Sequence, residues 1–171
     1  MRFEYMDRTK FHELSNDMFE ILAKNMSAIA PTGNEYKDDL ELWHNAVSEG
    51  LLKENRKIIL MMSDNSELVG FFQYYTNKGL FMMEEIQICK AWQGKENVFR
   101  QLYEFVVPQL SGIETIEAYA DKHNEKSQSI LVKLGLVGIG ENKNRNSYRY
   151  RGNFSALLEW LNCKPPIHIV K

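Results

Sequence analysis

GLFMMEEIQICKAWQGKENVFRQLYEFVVPQL, Gly79–Leu110, is the stretch around which this 171-residue chain is organised. Its opening, Leu80–Lys90, is mostly β-branched, aromatic or methionine side chains, interrupted by Glu84, Glu85 and Gln87. That composition predicts a buried strand, and carboxylates inside a buried run need a partner, water or a task. A polar loop, Ala91–Asn97, follows. Val98, Leu102, Val106 and Leu110 then recur at helical spacing and predict a core-facing stripe. Pro108 lacks a backbone donor, so the helix should kink or stop near Val107. A strand running straight into a helix N-terminus gathers free backbone N–H groups, an arrangement suited to an anion.

Towards the N-terminus, Leu68–Tyr75 and Lys57–Met62 read as strands. Short turns at Asn77–Gly79 and Ser63–Glu67 make these strands and the central one antiparallel neighbours. Arg2–Met6 reads as a first strand. Phe11, Leu14, Met18, Ile21 and Leu22 predict a helix over Lys10–Asn25, which the turn-rich Ala30–Glu35 ends. Leu40, Trp43, Val47 and Leu51 predict a second helix that stops near Gly50.

Towards the C-terminus, Glu114–Ala120 reads as a strand parallel to Leu80–Lys90, because a helix connects them. Asn124 is the expected N-cap of a helix bearing Ser127, Ile130, Leu131 and Leu134, with Gly135 as its stop. Leu136–Gly140 and Ser147–Gly152 flank a turn and should pair as a hairpin. Asn153 is expected to cap a last helix carrying Phe154, Leu157, Leu158 and Leu161, and Pro165-Pro166 to begin an extended tail. No repeat or linker divides the chain. The expected architecture is one α/β domain over residues 1–171, with a mixed, mostly antiparallel sheet of about seven strands flanked by helices.

Composition narrows the function by exclusion. With 44% hydrophobic and 26% charged residues and a net charge of −2, nothing favours nucleic acid as a partner. Cys89 and Cys163 make no disulfide framework, so a reduced compartment is expected. The N-terminal MRFEYMDRTK has no long apolar run, so neither a secretory signal nor a membrane span is expected there, and the location read from this is cytoplasmic. His12, His44, His123 and His168 share no metal-ligand spacing, and no metal is expected. There is no G-x-S-x-G elbow, P-loop or dinucleotide fingerprint. Lys143, Arg145, Arg149 and Arg151 form a basic cluster with two readings: a solvated turn, or a contact to an acidic acceptor or to a partner subunit of a homodimer.

The loop Gln93–Val98 between strand and helix, followed by a strand and then a helix with N-E-K-S…K-L-G-L at Asn124–Leu136, resembles the GNAT acetyltransferase superfamily. In that family the loop reads Gln or Arg-x-x-Gly-x-Gly or Ala, and its amides hold the pyrophosphate of acetyl-CoA. Here Glu96 and Val98 stand at the two small-residue positions. The resemblance implies an acetyl-CoA-dependent N-acetyltransferase, its acceptor a small-molecule or peptide amine that attacks the thioester directly. It also implies that the two opening helices help form the acceptor side.

Residue by residue, the resemblance implies that Ile86, Gln87 and Ile88 offer backbone groups to the pantetheine arm. Gln93, Gly94, Lys95, Glu96, Asn97 and Val98 would face the pyrophosphate, and Asn124 and Ser127 would bond the arm. Family enzymes often carry a Glu base on the central strand. Glu85 sits at a suitable position, with Glu84 beside it and expected on the opposite face. The family's tyrosine in the later helix is Leu131 here, and Tyr119 is the expected substitute acid. Plainer readings stand beside these: the loop as an ordinary helix start, Asn124 and Ser127 as cap and first-turn residues, Tyr119 as packing. The alternative function is a GNAT-fold module that binds a ligand or protein without chemistry, which Glu96, Val98 and Leu131 favour.

Overall fold

The computed structural model describes residues 1–163, so the expected tail at Pro165-Pro166 and His168 lie outside the described residues. In chain order the elements are β1 (Arg2–Tyr5), α1 (Arg8–Met26), α2 (Tyr36–Gly50), β2 (Arg56–Met62), β3 (Leu68–Asn77) and β4 (Leu80–Ile88). They continue with α3 (Val98–Val106), β5 (Thr115–Asp121), α4 (Glu125–Lys133), β6 (Val137–Glu141), β7 (Ser147–Asn153) and α5 (Phe154–Asn162). The strands form one seven-stranded sheet in the order β1-β2-β3-β4-β5-β7-β6. Every pairing is antiparallel except β4 with β5. This is the α/β architecture expected from the sequence.

Local chemistry sets the boundaries. Asp7 caps α1, accepting the Lys10 N–H at 2.8 Å. Between β3 and β4 the turn needs two left-handed residues, and Lys78 (φ 45°) and Gly79 (φ 80°) supply them. α3 ends before Pro108, and the chain tightens into a single 3-10 turn over Val107–Gln109. One capping expectation fails. Asn153 holds the N-cap position of α5, but its side chain makes no capping bond. The Phe154 N–H goes instead to the Glu114 carbonyl at 2.8 Å, so the end of the sheet fixes where this helix starts.

Strand alternation builds two cores. On one face, Ile58, Leu60, Met62 and Phe71 pack under Phe11, Met18 and Val47 of α1 and α2. On the other, Ile59, Phe72, Phe81 and Ile116 pack against Leu102, Leu131 and Leu157 of α3, α4 and α5. None of the core residues under α1 and α2, among those described, comes from β5, β6 or β7. That half of the first face is left open.

Two irregularities in β4 prepare the site. Gln73 pairs with Glu85 while Tyr74 pairs with Met83, so Glu84 is an extra residue, a β-bulge. β4 and β5 pair from Leu80↔Thr115 to Met83↔Ala118 and no further, although both strands continue. The far end of β4 is held close to β3 at Gly70. A methyl group on Gly70 would collide with the Gln87 carbonyl oxygen and lie 3.0 Å from the Ile88 Cα. Gly70→Ala should therefore destabilise the fold by about 1–3 kcal/mol, as overpacking does. Urea denaturation followed by tryptophan fluorescence checks this, and an unchanged midpoint would mean that β3 and β4 can separate at no cost.

Candidate active site

Past Met83 and Ala118 the two strands part, and the bulge decides which side chains border the opening. Without a bulge, Glu84 and Glu85 would point to opposite faces, as expected from the sequence. With it, both point to the face covered by α1 and α2. Glu84 accepts from Gln73 Nε2 at 3.0 Å, and Gln73 is the residue paired across from Glu85. Glu85 accepts from Gln87 Nε2 at 3.3 Å on the same face. Met83, two residues before Glu85 and so on its face in a regular strand, lies in the opposite core, where its sulfur receives the Tyr103 hydroxyl at 3.0 Å.

The two carboxylates have different surroundings. Glu84 is paired with Arg56, Nη2 to Oε1 at 2.5 Å, and neutralised by it. Glu85 has no cationic partner among the described residues. Burial pushes its carboxyl above the ordinary range, and the Glu84 charge adds to the rise; Gln87 and the nearby Trp43 indole pull the other way. The Trp43 N–H is buried and has no hydrogen-bond partner among the described residues. A half-buried carboxyl with a raised pKa beside an open gap is the profile of a proton acceptor.

The backbone of β4 also faces the gap. Because the Cys89 N–H donates to Val69 (2.8 Å), the alternation turns the groups of Ile88 and Ile86 away from β3. Gln87, expected to offer its backbone to the arm, does not: its main-chain groups face β3, against Gly70, and only Ile86 and Ile88 turn theirs to the opening. The Ile88 carbonyl already accepts from Asn25 Nδ2 (3.0 Å) and Gln93 Nε2 (2.9 Å). Gln93 in turn accepts from Lys126 of α4 at 2.7 Å.

The loop Gln93–Val98 turns sharply, with Gly94, Glu96 and Asn97 all at positive φ (75°, 49° and 51°). Such backbone costs a residue with a side chain about 1 kcal/mol, and Glu96 occupies it where glycine would be free. The N–H groups of Gly94, Glu96 and Asn97 have no hydrogen-bond acceptor among the described residues. Glu96, Lys95 and Asn97 are exposed, whereas Val98 turns into the core at 2% exposure. A cavity of about 480 Å³ opens beside this loop, with Ile88, Trp92, Gly94 and Lys95 among its walls.

Across the gap, Asn124 caps α4 by accepting the Ser127 N–H at 3.1 Å. Leu131 lies in the core under α4. Tyr119, on β5 just past the last pair with β4, is 44% exposed between the buried Ala118 and Ala120, so it faces the same side as Glu85. The two expected catalytic residues therefore border the gap from opposite strands. His123 is exposed and bonded to Asp121 at 3.0 Å. Arg149 and Arg151 belong to β7 and bind the carboxylate of Glu117, so the solvated-turn reading does not hold for them.

No family model and no curated protein matches the sequence. Solved structures do match. PaiA N-acetyltransferase from Thermoplasma acidophilum, in complex with coenzyme A, shares 12% identity at a TM-score of 0.69, over 90% of this chain and 100% of its own. An acetyltransferase of the GNAT family from Staphylococcus aureus shares 12% at 0.68, over 89% and 98%. A spermidine N-acetyltransferase chimera of Vibrio cholerae SpeG and hSSAT shares 15% at 0.59, over 95% and 100%. Identities this low establish the fold. The chain has the GNAT acetyltransferase fold.

The raised Glu85 pKa has a consequence for stability. The folded protein holds this proton to higher pH than the unfolded chain does. Stability therefore falls as pH rises from the ordinary glutamate value through the folded one, and stays lower above it. Glu85→Gln removes that loss. Its melting temperature should exceed that of the unmodified protein near neutral pH and match it in acid below the ordinary carboxyl value. A variant less stable at neutral pH would mean that the charged carboxylate is held by more than Gln87.

Proposed function

We propose that this protein is an acetyl-CoA-dependent N-acetyltransferase acting on a small-molecule or peptide amine. The observation that carries this reading is the parting of β4 and β5 after Met83 and Ala118, next to a loop of unpartnered amides. The residues present fit the donor. Ile86 offers its main-chain groups to a pantetheine arm and Ile88 its N–H, the Ile88 carbonyl being taken by Asn25 and Gln93. The N–H groups of Gly94, Glu96 and Asn97, with the Lys95 charge, suit a pyrophosphate. When bound, acetyl-CoA supplies an acyl group activated as a thioester.

Glu85 takes the proton of the acceptor ammonium, directly or through one water, and its raised pKa brings it closer to the working pH. The Tyr119 hydroxyl holds a proton on the opposite lip of the gap, for the departing thiolate. Glu84 does not compete for the ammonium, because Arg56 and Gln73 occupy both its oxygens. One observation favours the alternative of a binding module: Leu131 fills the core where the family's acid stands, and leaves Tyr119 to serve in its place.

Isothermal titration with acetyl-CoA and CoA tests the reading, and no binding of either at millimolar concentration rejects it. Glu85→Gln should lower kcat by roughly 10²–10⁴-fold, the range for acid–base groups, and leave CoA affinity unchanged. Full activity in this variant would remove Glu85 as the base. Glu96→Gly relieves a left-handed side-chain residue and takes a negative charge from the phosphate loop. CoA should bind several-fold tighter, with a larger gain at low salt. Equal affinity at low and high salt would show that Glu96 does not sense the phosphates.

A further inference from the structure

The open half of the sheet face, beyond the reach of α1 and α2, carries an arrangement that neither the fold nor the chemistry above requires. Glu117 on β5 is fully buried, yet it sits on that open face, because its neighbours Ile116 and Ala118 point into the opposite core. Two arginines from β7 hold it. Arg149 is bidentate, Nε to Oε2 at 2.9 Å and Nη2 to Oε1 at 3.0 Å. Arg151 donates through Nε to Oε1 at 2.5 Å, and its Nη2 is ion-paired with the same oxygen. Burial pushes the Glu117 carboxyl up, but the two guanidinium groups outweigh it and hold it below the ordinary range.

Two cations on one carboxylate leave one positive charge. The guanidinium groups are drawn in over β5 by Glu117, with side chains 38% and 50% exposed and the Nη1 edge of each left out of the Glu117 bonds. Tyr119 stands across from Arg149 in the β5–β7 ladder, at the lip of the gap. Buried Glu117 thus fixes two arginines that would otherwise be mobile, with donor edges left for an anion beside the gap.

We propose that Arg149 and Arg151 form the anion subsite of the acceptor, and that the amine this protein acetylates carries a carboxylate. The proposal rests on the acetyltransferase reading and names its acceptor class. A residual charge of one suits a monovalent carboxylate better than a phosphate dianion. The amine would lie at Glu85 on β4 and the carboxylate over β5. Glu117 pairs with Met82, three residues before Glu85 along β4, so the separation combines one strand spacing, about 5 Å, with about 10 Å along the strand. Such a span suits a long ω-amino acid, of five or more methylenes. A polyamine would bring a second cation against the arginines and is disfavoured there.

The experiment measures thiol release from acetyl-CoA with 5-aminovalerate, 6-aminohexanoate and 8-aminooctanoate, each paired with its primary carboxamide, and with spermidine. The expected result is a kcat/KM roughly tenfold or more higher for at least one carboxylate than for its carboxamide, the scale of a charge-assisted contact. In Arg151→Gln, which leaves Arg149 bidentate on Glu117, that preference should collapse. CoA titration of each protein reports separately on the fold and the donor side. Equal use of carboxylates and carboxamides, spermidine as the best acceptor, or a preference surviving in Arg151→Gln each overturns the subsite. So does the absence of turnover with every amine in protein that binds CoA. If CoA itself does not bind, the titration identifies that failure as the donor's, and the subsite falls with it.

Discussion

The parallel ladder of β4 and β5 runs from Leu80↔Thr115 to Met83↔Ala118 and then stops, though β4 continues to Ile88 and β5 to Asp121. The next residue of β4 is the bulge at Glu84, and a bulge bends its strand and adds twist. β3 follows β4 through this bend because Gly70 lets the backbones close up. β5 does not follow, since it is tied on its other side to β7 over its whole length. The gap thus arises from one strand held between two neighbours of different curvature. The main-chain groups of Ile86 and Ile88 are left facing it.

The same bulge sorts the charges. It brings Glu84 and Glu85 to one face, and the sheet places Glu117 there as well. Carboxylates on a partly covered face stay ionised most readily where a cation partners them. Glu84 has Arg56, and Glu117 has Arg149 and Arg151. Glu85 alone has only neutral donors near it. Pushing the proton affinities of neighbouring carboxyls apart is how one site separates structural charge from reactive charge. Here Arg56 reaches Glu84 from β2 and Arg149 and Arg151 reach Glu117 from β7, while Glu85 has Gln87 of its own strand.

Most of the fold was legible because it rests on repeating periods. The stripe at Val98, Leu102 and Val106, the stop before Pro108 and the tight turn at Lys78-Gly79 are local consequences of side-chain type, and each is found in place. The site was legible only where it follows from those periods, as with Tyr119 at the gap. The bulge was not: a single extra residue leaves no mark in a run such as Met83-Glu84-Glu85-Ile86, and it reverses the phase of everything before it. Asn25, Trp43, Arg56 and Lys126 also escaped the sequence reading, because each reaches the site from an element distant in the chain. Glu117 was the exception in principle. An acidic residue in an apolar strand, and two arginines spaced by one residue in a later strand, are a pattern that opposed strand faces would explain.

The Ile88 carbonyl, doubly bonded by Asn25 and Gln93, is more than a satisfied acceptor. Asn25 lies in the last turn of α1, Gln93 in the loop before α3, and Lys126 extends the chain of bonds to α4. Two helices and a loop are therefore fastened to a single atom at the frayed end of a strand. Asn25 also donates to Gln87 Oε1 and accepts from Gln93 Nε2, so the end of α1, the loop and the end of β4 form one side-chain network. α1 packs against α2, and α2 carries the Trp43 that lies beside Glu85. The end of the strand that borders the gap is thereby tied by neutral amides to the helix pair that covers Glu85.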